Sequence, residues 1–226
     1  MTGIQNDASC VWLFDYDLTL YSQAERAVLD SLDRRISLYV QKIAGCSLEE
    51  AQKIRKDYWN DFGTTLSGLR RVFGVDPDDF FDFIHQPENL IYPEEAPQKR
   101  ELLQSLWGAR YIFTNGRSDW SREGSLRMGI LGCFVRVVGL ENLNWEGKPQ
   151  TAAYEKMESV LREDGVWDGR DPSRIILLDD SARNLEPAAR RGWKTVWVNP
   201  ASEESGAFAF AHIADLMELP RLLTRS

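Results

Sequence analysis

The sequence has few of the residues that most often mark a soft-metal or redox site. In 226 residues there are three cysteines and two histidines. Cys10, Cys46 and Cys133 lie far apart and show no metal-ligand spacing, so they read as free thiols of a reducing compartment. His85 and His212 sit away from every motif considered below and are assigned no chemistry. No apolar run is long enough to span a bilayer, so no membrane partner is expected. The polar stretch Met1 to Ser9 lacks the charged start and apolar core of a signal peptide, and the expected location is the cytoplasm. Basic charge is also short. Lys and Arg number 27 against 35 Asp and Glu, giving a formal net charge of −8. A binder of nucleic acid polymer gains its affinity by neutralising phosphates, so this balance argues against one. It leaves room for a small anion held locally by one lysine, backbone N–H groups and a metal. Internal repeats and low-complexity blocks are absent as well.

What remains is the composition of an ordinary globular protein, 43% hydrophobic and 27% charged. The length suits one large α/β domain, or a core carrying a smaller insert. Four short apolar runs read as buried strands: Cys10 to Phe14, Arg110 to Phe113, Arg174 to Leu178 and Lys194 to Val198. Phe134 to Val138 is a weaker fifth. Continuous apolar runs of this length suit a parallel sheet covered on both faces. Helical patterns separate most of them: Ala96 to Trp107, Ser118 to Met128 with Ser118 as N-cap, Thr151 to Arg162, and Glu186 to Arg191. Pro187 then falls in a first helical turn, and Gly192 supplies the stop. The alternation predicts an α/β fold with a Rossmann-like, doubly wound parallel sheet.

One region breaks the alternation. From about Tyr21 to Glu95 only helices are expected. Ala24 to Ala44 carries Val28, Leu32, Ile36, Tyr39 and Ile43 on one side. Ser47 and Glu50 form a capping box that opens a helix to about Phe62. Thr65 to Phe73 follows, and Asp76-Pro77 is an N-cap with Pro at N1, starting a helix to Ile84. The expected organisation is a core of residues 1–20 and 96–226 with an all-helical cap of residues 21–95.

Four pieces of chemistry fall at strand ends or loops on one edge of that sheet, where open α/β folds bind ligands. The first strand runs into Asp15-Tyr16-Asp17-Leu18-Thr19: one carboxylate to attack phosphorus, another to move a proton. The second ends in Thr114-Asn115-Gly116, a hydroxyl and exposed N–H groups before a helix start, which can cradle phosphate oxygens. Lys148, in a loop, neutralises the nucleophile and the transferring group. The fourth strand ends in Asp179-Asp180, oxygen ligands suited to Mg²⁺. Taken singly, each has an ordinary explanation as turn, cap or surface chemistry. The ordered set of four carries the argument.

In that order the motifs resemble those of the haloacid dehalogenase superfamily. The resemblance makes Asp15 the nucleophile, Asp17 the general acid and base, Thr114 with Asn115 and Lys148 the phosphate-binding group, and Asp15, Asp17 (through its main-chain carbonyl), Asp179 and Asp180 the Mg²⁺ site, with Asp180 rather than Asp179 expected as the direct ligand of that pair. It also implies that the helical insert is a C1 cap. Phe14 to Tyr21, Tyr58 to Leu69 and Asp179 to Asn184 are further similar to the pyrimidine 5′-nucleotidase branch. That narrower likeness implies hydrolysis of nucleoside monophosphates such as UMP and CMP. Tyr58 would stack on the base, and Thr64 or Thr65 would bond its edge. The alternatives are another small phosphomonoester, such as a sugar phosphate or phosphoglycolate, and a non-catalytic phosphate sensor. Asn184 and Arg117 are expected to act only from behind the motifs.

Overall fold

The computed structural model describes residues 3–200 and 208–224, so the outermost ends of the expected core lie outside the described residues. Its centre is a six-stranded sheet, parallel throughout. The strands are β2 (Val11–Phe14), β3 (Ala109–Phe113), β4 (Arg136–Val138), β5 (Ile175–Asp179), β6 (Lys194–Val198) and β7 (Ala211–Ile213), in the order β4-β3-β2-β5-β6-β7. A separate two-stranded pair joins β1 (Ile4–Gln5) to β8 (Leu223–Thr224) near the chain ends.

β2 is the pivot. Connections run outward to β3 and β4 on one side and to β5, β6 and β7 on the other. The strand order therefore reverses beside β2, and the crevice at its carboxyl end becomes the binding position. Val11, Trp12, Leu13 and Phe14 are all fully buried. Strand alternation splits them between the two faces. Trp12 and Phe14 pack with Ile112, Ile176 and Leu178 in one core, and Val11 and Leu13 with Tyr111, Phe113 and Leu177 in the other. The second core is closed by α7 (Thr151–Glu163) and α8 (Ala182–Arg190) through Tyr154, Met157, Leu185 and Ala188. The first takes α5 (Pro97–Ser105) and α6 (Ser118–Arg127) through Leu102, Leu103 and Trp120.

Between β2 and β3 the chain forms α1 (Ala27–Ala44), α2 (Leu48–Phe62), α3 (Thr65–Phe73) and α4 (Pro77–Ile84). Their ends follow local chemistry. Gly45 stops α1 in the left-handed region at φ 62°. Ser47 and Glu50 form both bonds of the capping box. Asp76 accepts from Asp78 and Asp79 at the start of α4, with Pro77 next.

Three local expectations need correction. Ser118 is not the N-cap of α6 but its first residue, and its N–H donates to Glu141 instead. The helix expected from Glu186 starts four residues earlier, at Ala182, so Pro187 lies inside α8 rather than in its first turn. The proline has no N–H to give the carbonyl of Arg183, four residues before it. Strand β7 was not expected, because Ala211-His212-Ile213 is too short and too mixed to show a period.

Candidate active site

Asp15 extends the sheet by one residue, its N–H donating to the carbonyl of Leu178 at 2.9 Å. The chain then turns sharply. Thr19 and Leu20 both donate to the carbonyl of Tyr16, and Leu18 is held at φ 59°. A branched residue in the left-handed region is strained, and such strain survives only where the surroundings impose it. The turn carries Asp15 and Asp17 to the mouth of the crevice.

Lys148 is fully buried. Its ammonium lies 3.0 Å from Asp15 Oδ1 and 2.6 Å from Asp179 Oδ2, and 4.9 Å above the Phe113 ring. A buried lysine holds its charge only among anions. Burial lowers its affinity for the proton, but Asp15 and Asp179 outweigh that and hold its pKa above the ordinary value. The loop that delivers it is clamped by Asn115, whose side chain donates to the Lys148 carbonyl and accepts from the Lys148 N–H, each at 2.8 Å. A side-chain carbon at residue 147 would meet Asn115 Oδ1 at 2.5 Å, so Gly147 is what lets the clamp close. With its side chain tied to the Lys148 loop in this way, Asn115 lines the cavity beside Thr114. Thr114 accepts from the Gly116 N–H at 3.1 Å, which leaves its hydroxyl proton to donate.

The two adjacent aspartates differ. Asp179 accepts from Lys148, from the Ser181 N–H and from Asn184 through both oxygens, so its acceptor capacity is filled by the protein. Asp180 lines the cavity, and its main-chain carbonyl accepts from the Trp197 indole at 2.8 Å. Burial and then the charge of Asp179 push the Asp180 carboxyl up to about 7. Burial likewise raises Asp15, against the pull of Lys148 and with the charges of Asp179 and Asp180 adding to it. Asp15, Asp179 and Asp180 offer oxygens that all lie within 4.8 Å of one another. Three converging carboxylates with one lysine leave excess negative charge, which a hard divalent cation offsets. The donor set therefore fits Mg²⁺, with Asp15 and Asp180 as the available side-chain ligands and Asp179 orienting Lys148 from behind. Asp17 is half-buried. Burial raises its pKa, and hydrogen bonds from Trp120 and Tyr21 temper the rise.

Asp15, Asp17, Thr114, Asn115 and Asp180 line one cavity of about 450 Å³ between the sheet edge and the helical insert. Leu29, Leu32, Ile36, Phe80, Phe81 and Ile84 form its apolar wall. The Asp33–Arg55 ion pair at 2.6 Å lines the same cavity, and among the described residues Arg55 Nε is buried without a partner.

Of the insert residues expected to read the ligand, the structure places Thr64 and Thr65 at the cavity and Tyr58 away from it. Tyr58 does not line the cavity. Its ring lies on Gly68 and meets Phe62 edge-on at 5.6 Å, so it is packing inside the insert. Thr64 and Thr65 do line it, but their hydroxyls are engaged within the insert. Thr64 caps α3 by accepting from the Ser67 N–H, and Thr65 donates to the Arg55 carbonyl. His85, assigned no chemistry from sequence, lines the cavity and hydrogen-bonds Asp119 at 3.1 Å. Its distance from the motifs along the chain hid this. The nearest signal was its place at the end of an amphipathic helix. Asn184 donates to both oxygens of Asp179. Arg117 instead ties the insert to the core, reaching Asp82 at 3.0 Å and Asp119 at 2.6 Å. On the opposite side Arg183 donates to the carbonyls of Trp59 and Asn60, each at 2.7 Å.

No protein-family model matches the chain. Solved structures do. A HAD phosphatase from Thermococcus onnurineus superposes with a TM-score of 0.60 at 21% identity, over 94% of this chain and 96% of that one. The HAD-hydrolase YfnB of Bacillus subtilis, bound to magnesium, gives 0.60 at 16%, over 95% and 98%. The L-2-haloacid dehalogenase of Xanthobacter autotrophicus, with chloropropionic acid covalently bound, gives 0.54 at 19%, over 94% and 97%. The chain therefore has the haloacid dehalogenase-like fold: a parallel α/β sheet with helices on both faces.

Proposed function

We propose that this protein is a magnesium-dependent phosphomonoesterase that passes the phosphoryl group through Asp15, with pyrimidine nucleoside 5′-monophosphates as its substrates. The observation that carries the chemistry is Lys148, fully buried between Asp15 and Asp179. A lysine enclosed in this way neutralises a nucleophilic carboxylate and the anion it attacks. One solved structure of the same fold is of a phosphatase and another holds magnesium, which supports the reading.

When bound, Mg²⁺ supplies positive charge for the phosphoryl oxygens, held by Asp15 and Asp180. The side chains do the rest. Asp15 attacks phosphorus in line, forming a new O–P bond as the ester P–O bond breaks. Asp17 gives its proton to the departing oxygen. Thr114, the Asn115 main chain and Lys148 hold the equatorial oxygens. Asp17, now a carboxylate, takes a proton from water, and that water attacks the phosphorus of the aspartyl phosphate. Phosphate leaves and Asp15 is restored. The helical insert acts as a cap, closed in this structure by Arg117 and Arg183, and it must part from the core to release product.

A dehalogenase has no use for Asp17 as an acid, because a departing halide takes no proton. The presence of both Asp17 and Asp180 favours phosphoryl transfer. For the leaving group, the apolar wall suits a flat base, and the Asp33–Arg55 pair offers it an acceptor and a donor. A phosphate-release panel tests the assignment: UMP, CMP, dUMP, dTMP, AMP, GMP, phosphoglycolate and several sugar phosphates, each with Mg²⁺ and with EDTA. Mg²⁺-dependent release favouring pyrimidine nucleotides is expected. Preference for a sugar phosphate or phosphoglycolate would keep the chemistry and discard the nucleotide. Silence across the panel would refute both.

A further inference from the structure

Asp17 is not held by the motif that contains it. Two donors converge on one of its oxygens. The Tyr21 hydroxyl lies 2.8 Å from Asp17 Oδ1, and the Trp120 indole N–H lies 3.1 Å from the same atom. Both donors are buried, Tyr21 fully and Trp120 to within 2%. An indole N–H can only donate. Burial and the neighbouring Asp17 push the Tyr21 phenol far above its ordinary range, so it too stays protonated and donates.

Trp120 is fixed in turn. Its ring is stacked by His85 at 5.7 Å and 24°, tilted against Tyr92 at 5.1 Å, and met edge-on by Tyr16 at 6.4 Å. His85 comes from the cap and is held to the core by Asp119, with Nδ1 to Oδ1 at 3.1 Å. The same Asp119 oxygen accepts the Trp120 main-chain N–H at 2.7 Å. The seat of Asp17 is therefore built from Tyr21, where the chain enters the helical insert, and from Trp120 of the core, against which His85 of the insert is stacked.

We infer that Tyr21 and Trp120 are positioning residues that decide which oxygen of Asp17 carries the proton. With Oδ1 accepting two hydrogen bonds, its lone pairs are occupied, and Oδ2 is the oxygen left to deliver a proton to the leaving group and later to take one from water. His85, stacked on Trp120, makes that arrangement depend on a seated cap. This inference rests on the phosphatase reading above, in which Asp17 is the acid and base.

The test uses leaving groups that differ in their need for a proton. 4-Nitrophenolate departs without one, whereas the alkoxide of a nucleoside or glycerol monophosphate does not. Tyr21→Phe keeps the ring and removes one donor, and Trp120→Phe removes the other. In both variants the alkyl ester should lose about 10-fold or more in the phosphorylation step, part of the 10²–10⁴ that a full general acid supplies. The 4-nitrophenyl ester should instead give a burst of nitrophenol near one per enzyme, followed by slow turnover. Its phosphorylation is spared, while hydrolysis of the aspartyl phosphate still needs Asp17. His85→Ala should show the same pattern more weakly. In an Asp17→Asn background, Tyr21→Phe should cause no further loss, because its effect runs through Asp17. Equal losses on both esters without a burst, or an undiminished effect of Tyr21→Phe in the Asp17→Asn background, would overturn the positioning role and leave the phosphatase intact. If the wild-type protein released no phosphate from either ester with Mg²⁺, both readings would fall. Unfolding midpoints identify any variant that fails to fold, and Tyr21→Phe, which keeps its packing, then decides alone.

Discussion

Replacing Lys148 by methionine separates the electrostatic reading of the site from a packing one. Methionine keeps most of the aliphatic stem against Phe113 and deletes only the ammonium. Asp179, with no exposed surface, then keeps Asn184 and the Ser181 N–H but has no cation. Breaking a buried ion pair by removing one partner costs about 3–5 kcal/mol, because the other charge stays buried without compensation. For a chain of this size each kcal/mol moves the unfolding midpoint by roughly 2–4 °C, so a drop of about 6–20 °C follows. The assay is thermal unfolding in EDTA, so that no divalent cation replaces the lost charge. The double variant Lys148→Met/Asp179→Asn removes the stranded charge as well and should recover at least about 1 kcal/mol, within the coupling range of contacting residues. A Lys148→Met midpoint within about 2 °C of wild type would mean that less than about 1 kcal/mol is at stake and that the lysine does not compensate the buried carboxylates.

Other consequences follow from the same geometry. Asp15→Asn should abolish turnover while leaving a folded protein, and substantial activity in that variant would contradict the covalent route. Mg²⁺ should raise the unfolding midpoint of the wild type. At 100 times its dissociation constant it contributes about 2.7 kcal/mol. Asp180→Asn should largely remove that shift, and an unchanged shift would place the cation elsewhere. Asp33→Ala leaves Arg55 without its partner in the cavity wall, so it should change the ranking of leaving groups in the phosphate-release panel. Retention of the wild-type ranking would remove the pair from ligand recognition. Thr65→Ala, by contrast, breaks only a bond to the Arg55 carbonyl and should leave that ranking unchanged.

The sheet was readable because its strands are short apolar runs ending in chemistry. Val11 to Phe14 leads into Asp15, and Ile175 to Leu178 leads into Asp179 and Asp180. Lys148 was readable only by its place in the order of motifs, since nothing local distinguishes it from a surface lysine. The cavity wall was not readable. Asp33 and Arg55 come from two helices, and neither stands in a recognisable spacing. Tyr58, Thr64 and Thr65 have the residue types of a binding surface, yet Tyr58 packs inside the helical insert, and the hydroxyls of Thr64 and Thr65, which line the cavity, are engaged within it. His85 and Trp120 lie 35 residues apart in sequence, on α4's end and in α6, and only the packing of the helical insert on the sheet layer makes them a stack. Local chemistry is legible in a sequence, whereas pairings between elements depend on how those elements meet.

The central claim is the covalent step at Asp15. The direct measurement is acid quenching during turnover of the best panel substrate, followed by borohydride reduction, which converts an aspartyl phosphate to homoserine, and mass spectrometry of the peptide. Homoserine is expected at residue 15 only when Mg²⁺ and substrate are both present. Steady phosphate release with Asp15 recovered unmodified, or with the label on another side chain, would contradict it.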